Sequence, residues 1–169
     1  MCSSDLLPEW VTAKDLVLEM ARRVSVKGGI GKVFEYTGPG AASLSPYERC
    51  TVTNMGTEIG ATTSVFASDE KTRDYLERLG RPEDFRAIGP DEDAGYDETM
   101  TIDLSTLEPL VALPSMPDKV VPVREVAGTK IDQVIVGSCT NGGYEDLLAV
   151  AKILEGRTVN PNTNLVIAP

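Results

Sequence analysis

An apolar run that ends in a turn of small residues constrains the fold of this chain more than any other feature. The run spans 133–137, and the turn after it holds Cys139 among small and polar residues. A helical pattern begins at Tyr144, and a second apolar run follows at 165–168. The order strand, turn, helix, strand is typical of a βαβ unit, in which ligands bind beyond the carboxyl ends of the strands. The sequence therefore predicts that Cys139 lies at a ligand-binding edge.

A cysteine at this edge has several roles open to it. Backbone N–H groups and the positive end of the following helix dipole would favour its thiolate. Such a thiolate can serve as a nucleophile, a redox sensor or a metal ligand. A small buried residue in a tight turn is the ordinary role of a single cysteine. The pattern alone leaves these alternatives open.

Composition excludes several classes of function. The 169 residues carry a net charge of -10 and include no histidine. An acidic chain without a basic cluster repels phosphate backbones, so we expect no nucleic-acid partner. No apolar run approaches the roughly 20 residues of a membrane span, and the start does not resemble a signal peptide. Three widely spaced cysteines (Cys2, Cys50 and Cys139) suggest no disulfide framework, so we expect a cytoplasmic protein without a membrane partner.

The first third of the chain alternates helix and strand signals. Thr12 to Asp15 has the form of a capping box, and apolar residues at helical spacing predict a helix over 13–24. The glycine-rich turn at 27–32 has the spacing of neither common phosphate-binding loop and leads into a strand at 33–36. It is therefore interpreted as a tight turn. Residues 37–40 are interpreted as a second turn, which ends the strand.

A second predicted helix begins at Ser45 and extends to about Gly60. Its several threonines, asparagine and two glycines give it poor helix propensity. A segment whose residues have poor propensity for its predicted secondary structure often marks a functional site or close packing. Asn54 and Glu58 are four residues apart, so on a helix they would share one face. Burying a carboxylate costs free energy, so a glutamate on a buried, closely packed helix is expected to have a function.

The remaining segments predict the domain organisation. We expect a strand at 61–66, a helix from Asp69 to Leu79, an acidic surface loop over 80–97 and a strand at 100–104. Four prolines between Pro109 and Pro122 suggest a linker with a boundary near residue 115. The predicted organisation is an unstructured or artefactual start at 1–11, an α/β domain at 12–115 and a second α/β domain at 116–169. Two strands are too few for an independent sheet, so we expect the second domain to be truncated.

Two motifs together resemble the aconitase family. Residues 51–66 are similar to its "NMGAE-GATTS-F" segment, and 136–147 to its first cluster-cysteine motif. The resemblance extends from about Trp10 to the end, and the form "EYTGPG" at 35–40 is closer to aconitases than to 3-isopropylmalate dehydratases. It implies a three-layer α/β/α iron–sulfur fold. It also implies a hydro-lyase that isomerises citrate-type hydroxy acids on a [4Fe-4S] cluster with one open iron.

The resemblance also implies roles for single residues. Cys139 would be the first of three cluster ligands, and Glu58 would hydrogen-bond the leaving hydroxyl or bound water. Asn54 would lie near the cluster sulfurs, behind the reacting groups. Side chains of the turn after the strand would shape it and donate hydrogen bonds to the cluster; these are Ser138, Thr140 and Asn141.

The resemblance implies further parts that this sequence lacks. The other two cysteine ligands would form a CxxC downstream of Pro169, and cationic groups for a di- or tricarboxylate substrate would come from the remaining aconitase domains. We therefore expect an internal fragment that is inactive alone. The alternatives are a fragment of a homoaconitase or 3-isopropylmalate dehydratase large subunit, or a non-catalytic α/β binding or redox-sensing domain.

Overall fold

The computed structural model describes residues 7–169, and it divides into two compact units. One unit ends at Val123, and the other runs from Arg124 to Pro169. Helices and small sheets alternate along both, which confirms the predicted α/β class. Among the described residues, no helix is both long enough and apolar enough to cross a membrane.

The core of the first unit forms around helix α1 (Ala13–Val24). The helix begins as predicted, because the Thr12 N–H donates to Asp15 Oδ2 at 2.7 Å. Val17 is fully buried and Met20 is 2% exposed. The described part of the predicted unstructured start folds against this core, since Val11 is buried and Leu7 packs on the cluster. Positions 1–6 of that prediction lie outside the described residues.

A two-stranded parallel sheet and three further helices belong to the first unit, and of these helices α3 contacts α1. Strand β1 (Val33–Tyr36) pairs with β2 (Thr63–Phe66), and both strands were predicted. A short helix α2 (Gly38–Ser43) follows β1 where only a turn was expected. Helix α3 (Pro46–Asn54) has the predicted Ser45 cap, but it ends earlier than expected and continues as a 3₁₀ helix, Met55–Ile59. Helix α4 (Glu70–Arg78) begins at the predicted cap, Asp69.

The segment after α4 corrects one strand prediction. A 3₁₀ turn, Pro82–Asp84, opens an exposed loop that extends as predicted to residue 97. The strand expected at 100–104 does not form; a 3₁₀ helix, Leu104–Thr106, lies there instead. Asp103 Oδ1 accepts from the Ser105 N–H at 3.0 Å, and this local side-chain bond competes with a strand ladder.

A β-hairpin replaces the predicted linker. Strand β3 (Leu110–Ala112) pairs antiparallel with β4 (Val120–Pro122). The Leu110 N–H donates to Asp15 Oδ1 at 2.7 Å, so the hairpin is bonded to the start of α1. Of the prolines that suggested a linker, Pro122 is the last residue of β4 and the other three lie outside the strands, where no ladder N–H is needed. The division of the structure follows at Val123, within a 3₁₀ helix, Val123–Val126, while the domain boundary near residue 115 stays a prediction.

The second unit is the predicted βαβ arrangement. Strand β5 (Gln133–Gly137) leads directly into a short helix α5 (Ser138–Asn141), and α6 (Tyr144–Leu154) follows. Strand β6 (Asn164–Ala168) returns parallel to β5, so that Gly137 lies opposite Ala168. The carboxyl ends of both strands therefore lie side by side, and Cys139 follows directly after the end of β5.

Candidate functional site

The turn after β5 depends on a glycine with an unusual backbone. Gly137 has φ +147°, and a Cβ atom on it would lie 1.9 Å from the Ala168 carbonyl oxygen. Only a residue without a side chain fits so close to the neighbouring strand. Ser138 then has φ +74°, a conformation that costs a non-glycine residue free energy. The chain thus leaves β5 in a sharp turn that places Cys139 at the carboxyl edge of the sheet.

The Cys139 thiol is exposed at this edge and forms no disulfide. Its sulfur lies 3.8 Å from Ser138 Oγ and 3.9 Å from Thr140 Oγ1, within hydrogen-bonding range for sulfur. Ser138 is exposed and Thr140 is half-buried. The expected edge position of Cys139 is therefore what the structure shows, and the small buried alternative does not describe it.

Asn141 ends helix α5 and is bonded to the next helix. Its Nδ2 donates to Asp146 Oδ1 at 2.9 Å, and the Gly143 N–H donates to Asp146 Oδ2 at 3.3 Å. The Asn141 Oδ1 is buried and has no hydrogen-bond partner. Sequence reasoning missed Asp146, although an acidic residue three positions after a helix cap is a known capping signal.

The second candidate group lies in the first unit, where α3 passes into the 3₁₀ helix. Met55 and Ile59 anchor this helix in the core, with exposures of 5% and 0%. Asn54 is the last residue of α3 and is exposed, whereas Glu58 is half-buried. Because the α-helix ends at Asn54, the helical spacing that was expected to align the two side chains does not apply.

Glu58 carries a carboxylate oxygen without a partner. Its Oε2 is buried, and no hydrogen-bond donor contacts it. A buried carboxylate oxygen that accepts no hydrogen bond costs free energy, so native structures rarely keep one without a use for it. This observation singles out Glu58 among the acidic residues of the unit.

A hydroxyl-rich cleft of about 380 Å³ lies beside the same helix. Its wall consists of Thr53, Asn54, Gly56, Thr57, Ala61, Thr62, Thr63 and Ser64. On the paired strands β1 and β2, Tyr36 stacks on Phe66 with ring centroids 4.7 Å apart. Burial raises the pKa of Tyr36. The cleft therefore offers neutral polar groups and no charge of its own.

An ion pair between a buried arginine and a partly exposed aspartate fixes α3. Arg49 donates to Asp69 through both terminal nitrogens, at 2.9 and 2.6 Å. Arg49 is 6% exposed, and its guanidinium also lies 5.7 Å from the Phe66 ring centroid. The hydrogen bond from Arg49 lowers the pKa of Asp69 to about 2. This pair secures the helix that leads to Asn54 and Glu58.

No group of three or more possible metal ligands occurs among the described residues. A multi-iron cluster held by protein thiolates needs several cysteines, and the described residues include Cys50 and Cys139. Cys139 lies in the short helix α5 directly after strand β5, whereas Cys50 lies within helix α3.

Comparison with known proteins identifies the family. The model of the aconitase family (aconitate hydratase) matches residues 5–129 and 124–169. The chain belongs to the aconitase family. The match begins at residue 5, earlier than the resemblance noted from Trp10 onward, and it confirms that resemblance.

Several relatives carry the same name. The chain is 42% identical over 163 residues to the 3-isopropylmalate dehydratase large subunit 2 of Archaeoglobus fulgidus, covering 96% of this chain and 39% of the relative. It is 44% identical over 163 residues to the large subunit 1 of Methanopyrus kandleri, with the same coverage of 96% and 39%. It is 46% identical over 160 residues to the large subunit 2 of Rubrobacter xylanophilus, covering 95% and 38%.

These relatives bear on two of the sequence-based expectations. The chain spans about two fifths of the relatives' length, at 39%, 39% and 38%. Their names agree with the alternative of a 3-isopropylmalate dehydratase, whereas "EYTGPG" at 35–40 had suggested an aconitase proper. The roles assigned to Cys139, Glu58 and Asn54 stay predictions, as do those of Ser138, Thr140 and Asn141.

Proposed function

We propose that this chain is part of a hydro-lyase that removes and re-adds water on a hydroxy diacid of the isopropylmalate type. The family match carries the reaction class, and the shared name of the relatives carries the substrate type. The alternative substrates are those of aconitases and homoaconitases. Because the chain spans about two fifths of the relatives, the activity belongs to the longer protein.

Cys139 is the proposed ligand of a [4Fe-4S] cluster. Its exposed thiol, the absence of a disulfide and the glycine-dependent turn at the strand edge suit a ligand that must reach a bulky group. When bound, the cluster supplies a Lewis acid that makes hydroxide a feasible leaving group. Ser138, Thr140 and Asn141 shape the turn, and hydrogen bonds from this turn to sulfur tune such a centre.

Glu58 is the proposed partner of the hydroxyl that leaves. Its buried Oε2 is an acceptor without a donor, so it is free to accept a hydrogen bond from a hydroxyl group or a water molecule. Asn54 borders the cleft beside the same helix. In the proposed reaction Glu58 holds the proton-bearing oxygen, and Asn54 would lie on the sulfur side of the cluster.

Charge argues that the substrate carboxylates are bound by other parts of the longer protein. A dicarboxylate needs cationic partners, ideally arginines that bind in a bidentate manner. The chain carries a net charge of -10, and its buried arginine, Arg49, is already paired with Asp69. We therefore expect the clamp for the substrate to come from segments that these 169 residues do not include.

A chimeric enzyme tests the proposed function. The matched segment of the Rubrobacter xylanophilus large subunit is replaced by this chain, and the product is assembled with the subunit that complements it. We expect dehydration of 3-isopropylmalate, followed as absorbance of the unsaturated product, and at least tenfold lower kcat/KM with citrate. Preference for citrate or a homologous tricarboxylate would assign the chain to the alternative substrates.

Glu58→Gln in the same chimera tests the catalytic assignment. Loss of one hydrogen-bonding group that acts on developing charge typically lowers kcat by about 10²–10³. Glu48→Gln is the matched control, because it changes a carboxylate in the same segment that is engaged in capping α3. Equal activity of the two variants would contradict the role of Glu58. A well-folded chimera without any turnover would favour a non-catalytic binding or redox role.

A further inference from the structure

One carboxylate joins the two helices that follow β5. Asp146 Oδ1 accepts from Asn141 Nδ2 at 2.9 Å, while Asp146 Oδ2 accepts from the Gly143 N–H at 3.3 Å. The second bond caps the start of α6, as is usual for an acidic residue in the first turn. The first bond has no part in capping, since Asn141 is the last residue of the separate helix α5.

The bond to Asp146 also determines which way the Asn141 amide points. An ionised carboxylate only accepts hydrogen bonds, so the NH₂ group of Asn141 must face Asp146. The Asn141 Oδ1 then faces away from Asp146, and it is buried without a partner. A rotated amide would put two acceptors together and lose the bond. The conformation with an unsatisfied Oδ1 is therefore maintained by Asp146.

Helix α5 is thus restrained at both ends. At its start, Gly137 fits against Ala168 and Ser138 adopts φ +74°. At its end, Asn141 is bonded to Asp146 on α6. The helix has four residues, too few to be stable without such restraints. Cys139 lies between the two restraints and is itself exposed.

We propose that Asp146 is a positioning residue that acts through Asn141 to hold Cys139 in its metal-binding orientation before any metal is bound. The inference rests on the proposed function of Cys139, and it deepens that function by naming the group that prepares the ligand. A restrained thiol loses less conformational entropy when it binds, which is the general benefit of preorganisation.

A fluorine label on Cys139 tests this positioning without a cluster. The full chain with Cys2→Ser and Cys50→Ser is modified at Cys139 with a trifluoromethyl ketone reagent, and ¹⁹F NMR reports the surroundings of the residue. The variants are Asp146→Ala, Asn141→Ala and both together. Glu145→Ala is the matched control, because Glu145 is exposed and carries the same charge in the same helical turn.

The expected result is non-additive. The parent chain and Glu145→Ala each give one narrow resonance, and each single variant loses it to a broadened or split signal. The double variant resembles Asn141→Ala alone, because the two residues act through one bond. Asn141→Ala keeps the cap on α6, so its melting temperature should fall less than that of Asp146→Ala, which loses both bonds. The backbone ¹H–¹⁵N signals of Thr140 in the unlabelled thiol form should report the same pattern.

Two outcomes would overturn the proposal. A narrow parent-like signal in Asn141→Ala would show that Asp146 does not act through the amide. An undiminished effect of Asp146→Ala in the Asn141→Ala background would show that Asp146 serves only as a helix cap. Neither outcome depends on iron or turnover, so failure here is distinguishable from failure of the chimera to form a working hydro-lyase.

Discussion

Glu58 and Glu48 lie in the same stretch of chain, yet their carboxylates have different surroundings. Glu48 Oε2 accepts from the Ser45 N–H at 2.7 Å, whereas Glu58 Oε2 is buried without a partner. We expect Glu48→Ala to lower the free energy of unfolding by about 1 kcal/mol, the net worth of a typical hydrogen bond. Glu58→Ala should change it by less than about 0.5 kcal/mol, since it breaks no hydrogen bond.

Urea unfolding of the two variants measures this difference. If Glu58→Ala proved as destabilising as Glu48→Ala, Glu58 would have a structural partner, and the argument that its carboxylate is kept for a ligand would fail. The expected result is typical of a functional residue, which contributes little to stability and is retained for another reason.

Gly137 is the residue on which the Cys139 turn depends most. An alanine there would place its Cβ 1.9 Å from the Ala168 carbonyl oxygen, so the two strands must separate. We expect Gly137→Ala to destabilise the second unit by about 3 kcal/mol or more, because the clash adds to the cost of the backbone conformation. Hydrogen exchange at the β5 and β6 amides measures the effect.

Gly156 provides the control for this prediction. It also has a positive φ, +66°, but a Cβ on it would meet nothing within 4 Å. Gly156→Ala should therefore lower the free energy of unfolding by about 1–2 kcal/mol, the cost of a positive φ in a residue with a side chain. Equal effects of the two substitutions would show that the contact with Ala168 does not constrain the turn.

At this scale the sequence predicted positions better than partners. The position of Cys139 at the strand edge could be predicted, because apolar periodicity and small turn residues report backbone geometry directly. The bond between Asn141 and Asp146 could not be predicted, because side-chain pairing depends on the turn angles around Gly137 and Ser138. The buried, unpartnered oxygen of Glu58 could not be predicted either, because a local pattern does not report the burial of a single atom.

The pair of Arg49 and Asp69 joins α3 to the start of α4, and it makes stability depend on pH. The folded-state pKa of Asp69 is lowered from 3.8 to about 2. A carboxyl whose pKa is lowered on folding contributes stability above its unfolded pKa and loses it as the pH falls toward the folded value. The free energy of unfolding should therefore decline between about pH 4 and pH 2.

Asp69→Asn tests the origin of that decline. The variant should be less stable at pH 7 by about 1 kcal/mol, a modest value because Asp69 is partly exposed, and its pH dependence below 4 should be flatter. Asp84→Asn is the control, since Asp84 pairs with Arg81 on the surface. If the free energy of unfolding of Asp69→Asn declined below pH 4 as steeply as that of the parent, the decline would belong to other carboxylates.

Among the elements, predictions held where a local signal sufficed. Helix α1, helix α4 and the start of α3 formed at their capping residues. The switch from α3 to a 3₁₀ helix at Met55 was missed, because the core positions of Met55 and Ile59 decide it rather than propensity. The hairpin at 110–122 was missed because its bond to Asp15 joins segments 95 positions apart.

Across the whole molecule, the two units differ in how much they bury. Val17, Val52 and Ile59 of the first unit are each 0% exposed, whereas no described residue from Arg124 to Pro169 is buried. In the second unit Ile135 is 65% exposed and Ile167 is 48% exposed. A parallel sheet normally has both faces covered, so these two strands are weakly stabilised as they stand.

Native-state hydrogen exchange should show this difference. The amides of α1 are expected to exchange only through global unfolding, and those of β5 and β6 through much less costly local opening. Addition of urea should leave exchange in β5 and β6 nearly unchanged while accelerating it in α1. Equal protection in both units would mean that the second unit is stabilised by contacts that its exposure does not reveal.

The central claim is that Cys139 of this aconitase-family chain binds an iron–sulfur cluster, and iron and sulfide analysis of the anaerobically reconstituted chimera tests it most directly. We predict a loss of bound iron and of cluster absorbance in Cys139→Ser. Cys50→Ser should retain both, because Cys50 is also exposed but lies on helix α3. A Cys139→Ser chimera that keeps a full cluster, or a loss in both variants alike, would contradict the assignment of Cys139 as a ligand.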